Sequence, residues 1–408
     1  MNMMMMMENN QTPTFESVFG CQTIDYTFEN ISIDNMSASQ FGAENCLLDT
    51  VQMDVGDKIY AFSTPVIFAM GILGNSISLK IFLSKNFRRQ AGGVYLASLS
   101  CADIFALVFY VMTEWLKKIP LFLMYRRKIP VLDTEGMCQM IQFLSYTFRF
   151  LSSWLVVIFT VERYIGVCHP FKRLEWCTTK TARRSIGFLV ILSLAINSYK
   201  PALTKVYRLH GDLTKCTGNL DYRYLSFVLD SIYAVSITFV PFVFIFMLNV
   251  LIIRALVRLK RRQKTNQVKA KEAVGRTDFT LLLLMISFCF IAFKLPFFVI
   301  WCQQFFFTIK LERSDLDEIN DHNRLLVMKE ALNISRIIFY MSYVTNFFLY
   351  SFVGSSFRLE LKRLLSCRHK KGRSNNWTPQ RTYLRSEISH VESFHRNTTG
   401  KHQSIDEV

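Results

Sequence analysis

A chain of 408 residues with 51% apolar side chains and a mean hydropathy of +0.22 is too apolar for the two to four soluble domains its length would allow, and points to a membrane protein. Its 48 Lys and Arg against 31 Asp and Glu give a net charge of +17, which fits a nucleic-acid binder as well as a membrane protein until the placement of the charge is known. With 37 Phe, 9 Pro and 16 Gly, the composition excludes collagen, a disulfide-dense mini-domain and a wholly disordered chain.

Residues 1–58 form a polar tail. Met3–Met7 is followed by Glu8-Asn9-Asn10 without a basic start or an apolar stretch, so it is not read as a signal peptide. Nine acidic side chains precede Ile59 against one base, Lys58, which places this end outside the cell. Sequons stand at Asn10, Asn30, Asn35 and Asn333, and also at Asn376 and Asn397 in a segment expected inside; Asn30 and Asn35 are the glycosylation candidates. Cys21 and Cys46 could bridge each other in the oxidising compartment, or Cys46 could pair with Cys302.

A bilayer core of about 30 Å takes about 20 apolar residues per helix. Seven such runs follow in order: Ile59–Leu83, Gly93–Leu116, Gly136–Val167, Ser185–Leu203, Tyr224–Leu256, Phe279–Phe307 and Ala331–Val353. Each is too long for a strand and none alternates as a barrel strand does, so an all-α, seven-transmembrane helix bundle over residues 59–355 is expected. Lys and Arg gather in alternate connections: Lys85, Arg88 and Arg89; then Lys172, Arg173, Lys180, Arg183 and Arg184; then the run Arg254–Arg276. Those connections face the cytoplasm. The charge excess is a topology signal, nucleic acid loses its support as a partner, and the basic rim suits anionic membrane lipid.

Residues 356–367 read as a short amphipathic helix on the membrane surface, with Arg358, Lys362 and Arg363 on its polar side. Cys367 at its end is a palmitoylation candidate or a free cytosolic thiol. Residues 368–408 are polar and expected to be disordered, with hydroxyls such as Ser374, Thr378 and Ser386 whose phosphates would pair with the bases of an arrestin.

Polar groups at membrane depth need a partner or a role. Asn75, Asp103 and Asn346 lie where they could meet, and Asp103 with Ser152, Ser342 and Asn346 makes an oxygen set for a sodium ion or a water; a polar knot that only positions helices is the other reading. The third run ends in Glu162-Arg163-Tyr164, 25 residues after Cys138. There an acid beside an arginine makes a breakable ion pair, and Phe171 on the following loop offers an apolar knob to a partner.

Together with Gly74-Asn75, Leu99 and Asp103, Cys138, Pro241 in Phe-Val-Pro, Phe290 and Pro296, Asn346 and Tyr350, and Phe357-Arg358-Leu359-Glu360-Leu361, that triplet makes the chain resemble a class A, rhodopsin-like G-protein-coupled receptor over about residues 59–367. The resemblance implies a ligand pocket open to the outside, an inward opening at the sixth helix, and nucleotide exchange on a heterotrimeric G protein at the plasma membrane. It also implies a disulfide from Cys138 to the second outer loop, where Cys216 is the only candidate. Glu162, Arg163 and Tyr350 would act as the switch and Phe171 as a partner contact. The seventh run carries Asn346-Phe347-Phe348-Leu349-Tyr350, similar to many invertebrate neuropeptide receptors, the FMRFamide-like group above all, which implies an extracellular peptide ligand. Three departures stand out: Phe347 where the family has proline, Lys294 where it has tryptophan, and Asn249 where a tyrosine is common.

Matched to the family motifs, most of Glu114, Arg149, Asp230, Lys294 and Arg336 turn toward the bundle axis. An isolated charge costs at least a few kcal/mol there, so mutual pairing is expected. Glu114 or Asp230 would receive a basic ligand group, or Arg149, Lys294 and Arg336 an anionic one, unless the five only hold helices in register. Two rival readings are a chemosensory receptor for a small, anionic molecule and, more remotely, a seven-span transporter or channel. No lysine lies between Ala331 and Val353 to hold retinal, and the chain has no Gly-x-Ser-x-Gly elbow, phosphate loop or His/Cys cluster, so no enzyme is expected.

Overall fold

The computed structural model describes residues 55–122, 130–208, 214–263, 270–311 and 318–366. The tail candidates Cys21, Asn30, Asn35 and Cys46, together with Cys367 and residues 368–408, lie outside them. The chain divides into two compact units, Met1–Leu361 and Lys362–Val408, and of the second only residues 362–366 are described.

Six helices are individually long and apolar enough to cross a membrane, and a seventh, Val327–Val353, qualifies when taken with the short helix Ser355–Leu365 that follows it. The spans are Val55–Phe82, Ala91–Ala106 continued to Phe122, Met137–Cys168, Thr179–Asn197, Arg223–Ile237 continued by Phe239–Gln263, Ala270–Leu311 and Glu318–Val353. Several outrun the apolar runs by one or more turns, because helix needs only paired backbone groups and continues past the hydrocarbon edge where polar side chains permit it. Large apolar side chains such as Phe62, Leu73, Phe188, Ile191 and Phe352 point outward, as lipid-facing positions do when the solvent is itself apolar.

Local sequence sets the ends and breaks. Thr178 caps the fourth span by accepting from Thr181 N at 3.2 Å. His169 leaves the helical region because Pro170 follows it, which ends the third span and starts the short helix Pro170–Trp176. Pro241 has no N–H for the carbonyl four residues back, Ile237, and the fifth span breaks at Thr238. One residue before that carbonyl, Ser236 O accepts Trp154 Nε1 at 3.1 Å, which ties the break to the third span.

Two features have no signature in the apolar runs. The second span widens into a π-turn at Leu107–Met112, and the second long connection forms an antiparallel hairpin, β1 (Thr204–Arg208) with β2 (Thr214–Gly218), in register Val206↔Cys216. The hairpin is the only sheet among the described residues.

A buried apolar cluster joins the first, second and seventh spans around Tyr60, Ile67, Leu107, Tyr110, Phe339 and Tyr343. Gly74 makes it possible: a Cβ there would stand 2.9 Å from Phe347 Cβ, so only glycine lets the first span approach the seventh at this level. Phe347 thus fills the groove that Gly74 leaves, within a helix uninterrupted from Glu318 to Val353. Asn75 does not join Asp103 as expected; its Nδ2 donates to Gly71 O at 3.0 Å and to Tyr343 O at 2.7 Å, holding the same seam.

Candidate functional site

The hairpin end of the bundle carries the charged residues. Cys138, at the start of the third span, is bonded to Cys216 on β2, and Asp133 Oδ1 accepts Cys216 N at 3.0 Å. This pins the hairpin over the end of the bundle. Below it, the π-turn adds a residue to the second span and sets the direction of Glu114 and Trp115; Trp115 Nε1 donates to Ala61 O at 2.9 Å.

Of the five charges expected here, Glu114 and Arg336 face one another, Oε2 to Nη1, at 3.9 Å. Asp230 does not pair with Arg149, Lys294 or Arg336. Its partner is Lys200, with Nζ at 2.6 Å from Oδ1, and Tyr199 Oη donates at 3.3 Å to the same carboxylate. Lys200 stands at the end of the fourth span, where a lysine reads from sequence as an interface anchor, so the pairing was not legible. A second unforeseen group links Lys118 Nζ to Asn333 Oδ1 at 3.2 Å, Asn333 Nδ2 to Asp57 Oδ1 at 2.7 Å, and Lys329 Nζ to Asp57 Oδ2 at 3.4 Å. Asn333, a sequon asparagine, is buried and engaged on both sides of its amide.

Arg149 differs from the others. Its guanidinium lies 4.1 Å from the ring centre of Tyr110, 4.5 Å from that of Tyr146 and 5.3 Å from that of Tyr233, and Nε donates to Ser145 O at 3.3 Å. Among the described residues no carboxylate stands within ion-pair distance of it. Aromatic faces stabilise a desolvated cation without cancelling its charge, so Arg149 is held by rings and not by an ion pair among the described residues. The aromatic residues of the sixth span do not gather around it: Phe305 stacks on Phe227 at 5.0 Å, and Trp301 packs on Phe298 and Phe305, an aromatic seam between the fifth and sixth spans.

At mid-depth, Asp103 Oδ1 accepts Ser152 Oγ at 2.6 Å and Oδ2 accepts Asn346 Nδ2 at 2.8 Å, uniting the second, third and seventh spans. Beside them a small cavity, with room for about one water, is lined by Ser152, Ser342, Asn346, Phe290 and Lys294. Ser342 Oγ has no hydrogen-bond partner among the described residues. The residues expected to hold sodium or a water, Asp103 with Ser152, Ser342 and Asn346, are thus brought together at this cavity, and Lys294 stands on its wall.

At the opposite end, Glu162 and Arg163 pair at 2.7 Å, and Arg163 lies against Gly92, where a Cβ would come within 2.5 Å of its Nη2. Tyr164 packs edge-on against His169. Phe171 is 92% exposed at the start of its short helix, and Tyr350 is fully buried between Phe82 and Phe357. Cys177 Sγ lies 3.5 Å from Glu162 O, and burial, helped by the Glu162 carboxylate, pushes its thiol up to about 11. Cys101, Cys168, Cys289 and Cys302 have no disulfide partner among the described residues.

Residues 74–350 match the family described as 7 transmembrane receptor (rhodopsin family). The chain is 25% identical to an FMRFamide peptide receptor of Caenorhabditis elegans over 66% of its own length and 63%, less than two thirds, of that receptor's. It is 25% identical to the growth hormone secretagogue receptor type 1 of Sus scrofa, covering 73% of this chain and 78% of the relative. To the human cysteinyl leukotriene receptor 2 it is 22% identical, over 86% and 94%.

Proposed function

The chain belongs to the rhodopsin family of seven-transmembrane, G-protein-coupled signalling receptors, and on that premise we propose that it is a plasma-membrane receptor for an extracellular neuropeptide. The peptide binds under the hairpin, and the Glu162–Arg163 end, with Phe171 as an apolar contact, engages a heterotrimeric G protein. The basic residues beyond the third and fifth spans set this end in the cytoplasm and the acidic tail outside. Anionic lipid at the basic rim and an arrestin on the phosphorylated tail are the further partners, and Asn30, Asn35 and Cys367 the glycan and palmitate sites.

The observation that carries the ligand reading is Arg149. Glu114 is held by Arg336 and Asp230 by Lys200, whereas Arg149 has no ion-pair partner among the described residues and stands within an aromatic cage. A ligand carbonyl or carboxylate arriving there gains a charge-assisted hydrogen bond in a dry site. Peptide relatives, an FMRFamide peptide receptor among them, favour a peptide as its source.

The same cation supports a second reading, a small anionic ligand, in keeping with the resemblance to a cysteinyl leukotriene receptor. Removing residues 1–54 and, separately, replacing Arg149 by Ala separates the two. Loss of response in both variants supports the peptide, which spans tail and pocket; loss only in Arg149→Ala supports the small anion.

A further inference from the structure

Lys294 enters the bundle core from the sixth span, two residues before Pro296, and is 2% exposed. Its Nζ donates to Ser153 Oγ on the third span at 2.6 Å. Three rings shelter it, with centres at 4.4 Å (Phe290), 5.4 Å (Phe339) and 5.6 Å (Tyr343). The cavity it lines also touches Ser152 and Asn346, the two residues that hold the Asp103 carboxylate.

We infer that the Lys294 ammonium is the built-in counter-cation of Asp103, taking the place of a dissolved ion, so that this receptor's stability and conformational balance do not respond to sodium. Two observations carry the inference. The side chain brings a positive charge to the cavity beside the Asp103 cluster, so a second cation would meet like charge at short range in a medium of low dielectric. The cavity has room for about one water, and the unpartnered Ser342 hydroxyl on its wall can bond a water as donor or acceptor.

The tether changes what the cation can do. A dissolved ion leaves its site by diffusion and follows the salt concentration; an ammonium on the sixth span leaves Asp103 only when that helix moves. The charge pairing of the core thereby becomes part of the helix movement, with no dependence on ionic composition. This goes beyond the identity of ligand and G protein, and its test needs neither.

The test is thermal unfolding of the purified full-length receptor in sodium chloride and, at matched ionic strength, in choline chloride. The wild-type chain is expected to melt at the same temperature in both. Lys294→Met, which keeps the length of the side chain and removes its charge, is expected to gain a sodium-specific rise of about 2–4 °C, and adding Asp103→Asn to that variant is expected to abolish it. Lys294→Gln serves as a second neutral replacement if the methionine variant does not fold. A sodium-specific rise in the wild-type chain overturns the inference, and that measurement requires no variant. Folded Lys294→Met or Lys294→Gln without any sodium response overturns it as well, since the charge would then not be what keeps sodium out.

Discussion

Asn346 Nδ2 donates to Asp103 Oδ2 at 2.8 Å, and through that bond the seventh span is fastened to the second at mid-depth, while Ser152 fastens the third to the other oxygen of the same carboxylate. A single buried carboxylate thus organises three helices, and its bonds must be rearranged whenever those helices shift. Asn346→Ala leaves one oxygen of Asp103 without a donor. It is expected to destabilise the receptor by about 1–3 kcal/mol, seen as a lower melting temperature of the solubilised protein, whereas Asn346→Asp sets two carboxylates together and is expected to cost more.

Arg149→Ala is expected to lower ligand potency by about ten- to a hundredfold, because it removes both the charge and the surface stacked against Tyr110, Tyr146 and Tyr233. Arg149→Lys keeps the charge but not the planar stacking, and should fall between the two in concentration–response curves. Equal potency of all three would remove Arg149 from the ligand site.

Glu114 and Arg336, at 3.9 Å, form a partly buried pair. Glu114→Gln leaves an arginine without its acid, so the single change should weaken stability more than the double change Glu114→Gln/Arg336→Gln. The two sites are expected to couple by about 0.5–3 kcal/mol in a double-mutant cycle. Additive effects would mean that the two residues do not interact.

The seam of first and seventh spans depends on Gly74. Gly74→Ala places a Cβ 2.9 Å from Phe347 Cβ and is expected to cost about 1–3 kcal/mol as overpacking, read as lower thermal stability and fewer receptors at the cell surface.

Cys177 offers a check at the Glu162–Arg163 end of the bundle. Burial and the nearby Glu162 carboxylate raise its thiol to about 11, so the thiolate is scarce at neutral pH and grows as pH rises toward that value. Alkylation of Cys177 by iodoacetamide, followed by mass spectrometry, should be slow at neutral pH and speed up with alkali. Glu162→Gln should make it faster at a given pH.

The seven spans were legible because each apolar run is long enough to cross a bilayer, and breaks such as Thr238 follow from a single proline. The Asp103–Ser152–Asn346 cluster was legible because polar residues at membrane depth seek each other. The hairpin was not, since Thr204–Arg208 and Thr214–Gly218 are short and held in place partly by the disulfide that joins Cys216 to the third span. Nor was the π-turn at Leu107–Met112, which contains no glycine or proline to announce it. The partner of Asp230 was misjudged because Lys200 sits at a helix end, where the ordinary position of a lysine is outward; here the chain turns it inward across the ring of Tyr146, at 4.1 Å.

In the proposed mechanism, ligand at the hairpin end changes nucleotide exchange at the Glu162–Arg163 end. Exchange is to be measured on a panel of heterotrimeric G proteins in membranes carrying the full chain, with and without a pooled library of amidated peptides. Peptide-dependent exchange on at least one class of G protein, lost in Arg163→Ala, is expected. Exchange unaffected by any peptide pool, from receptor shown to be folded and at the surface, would contradict it.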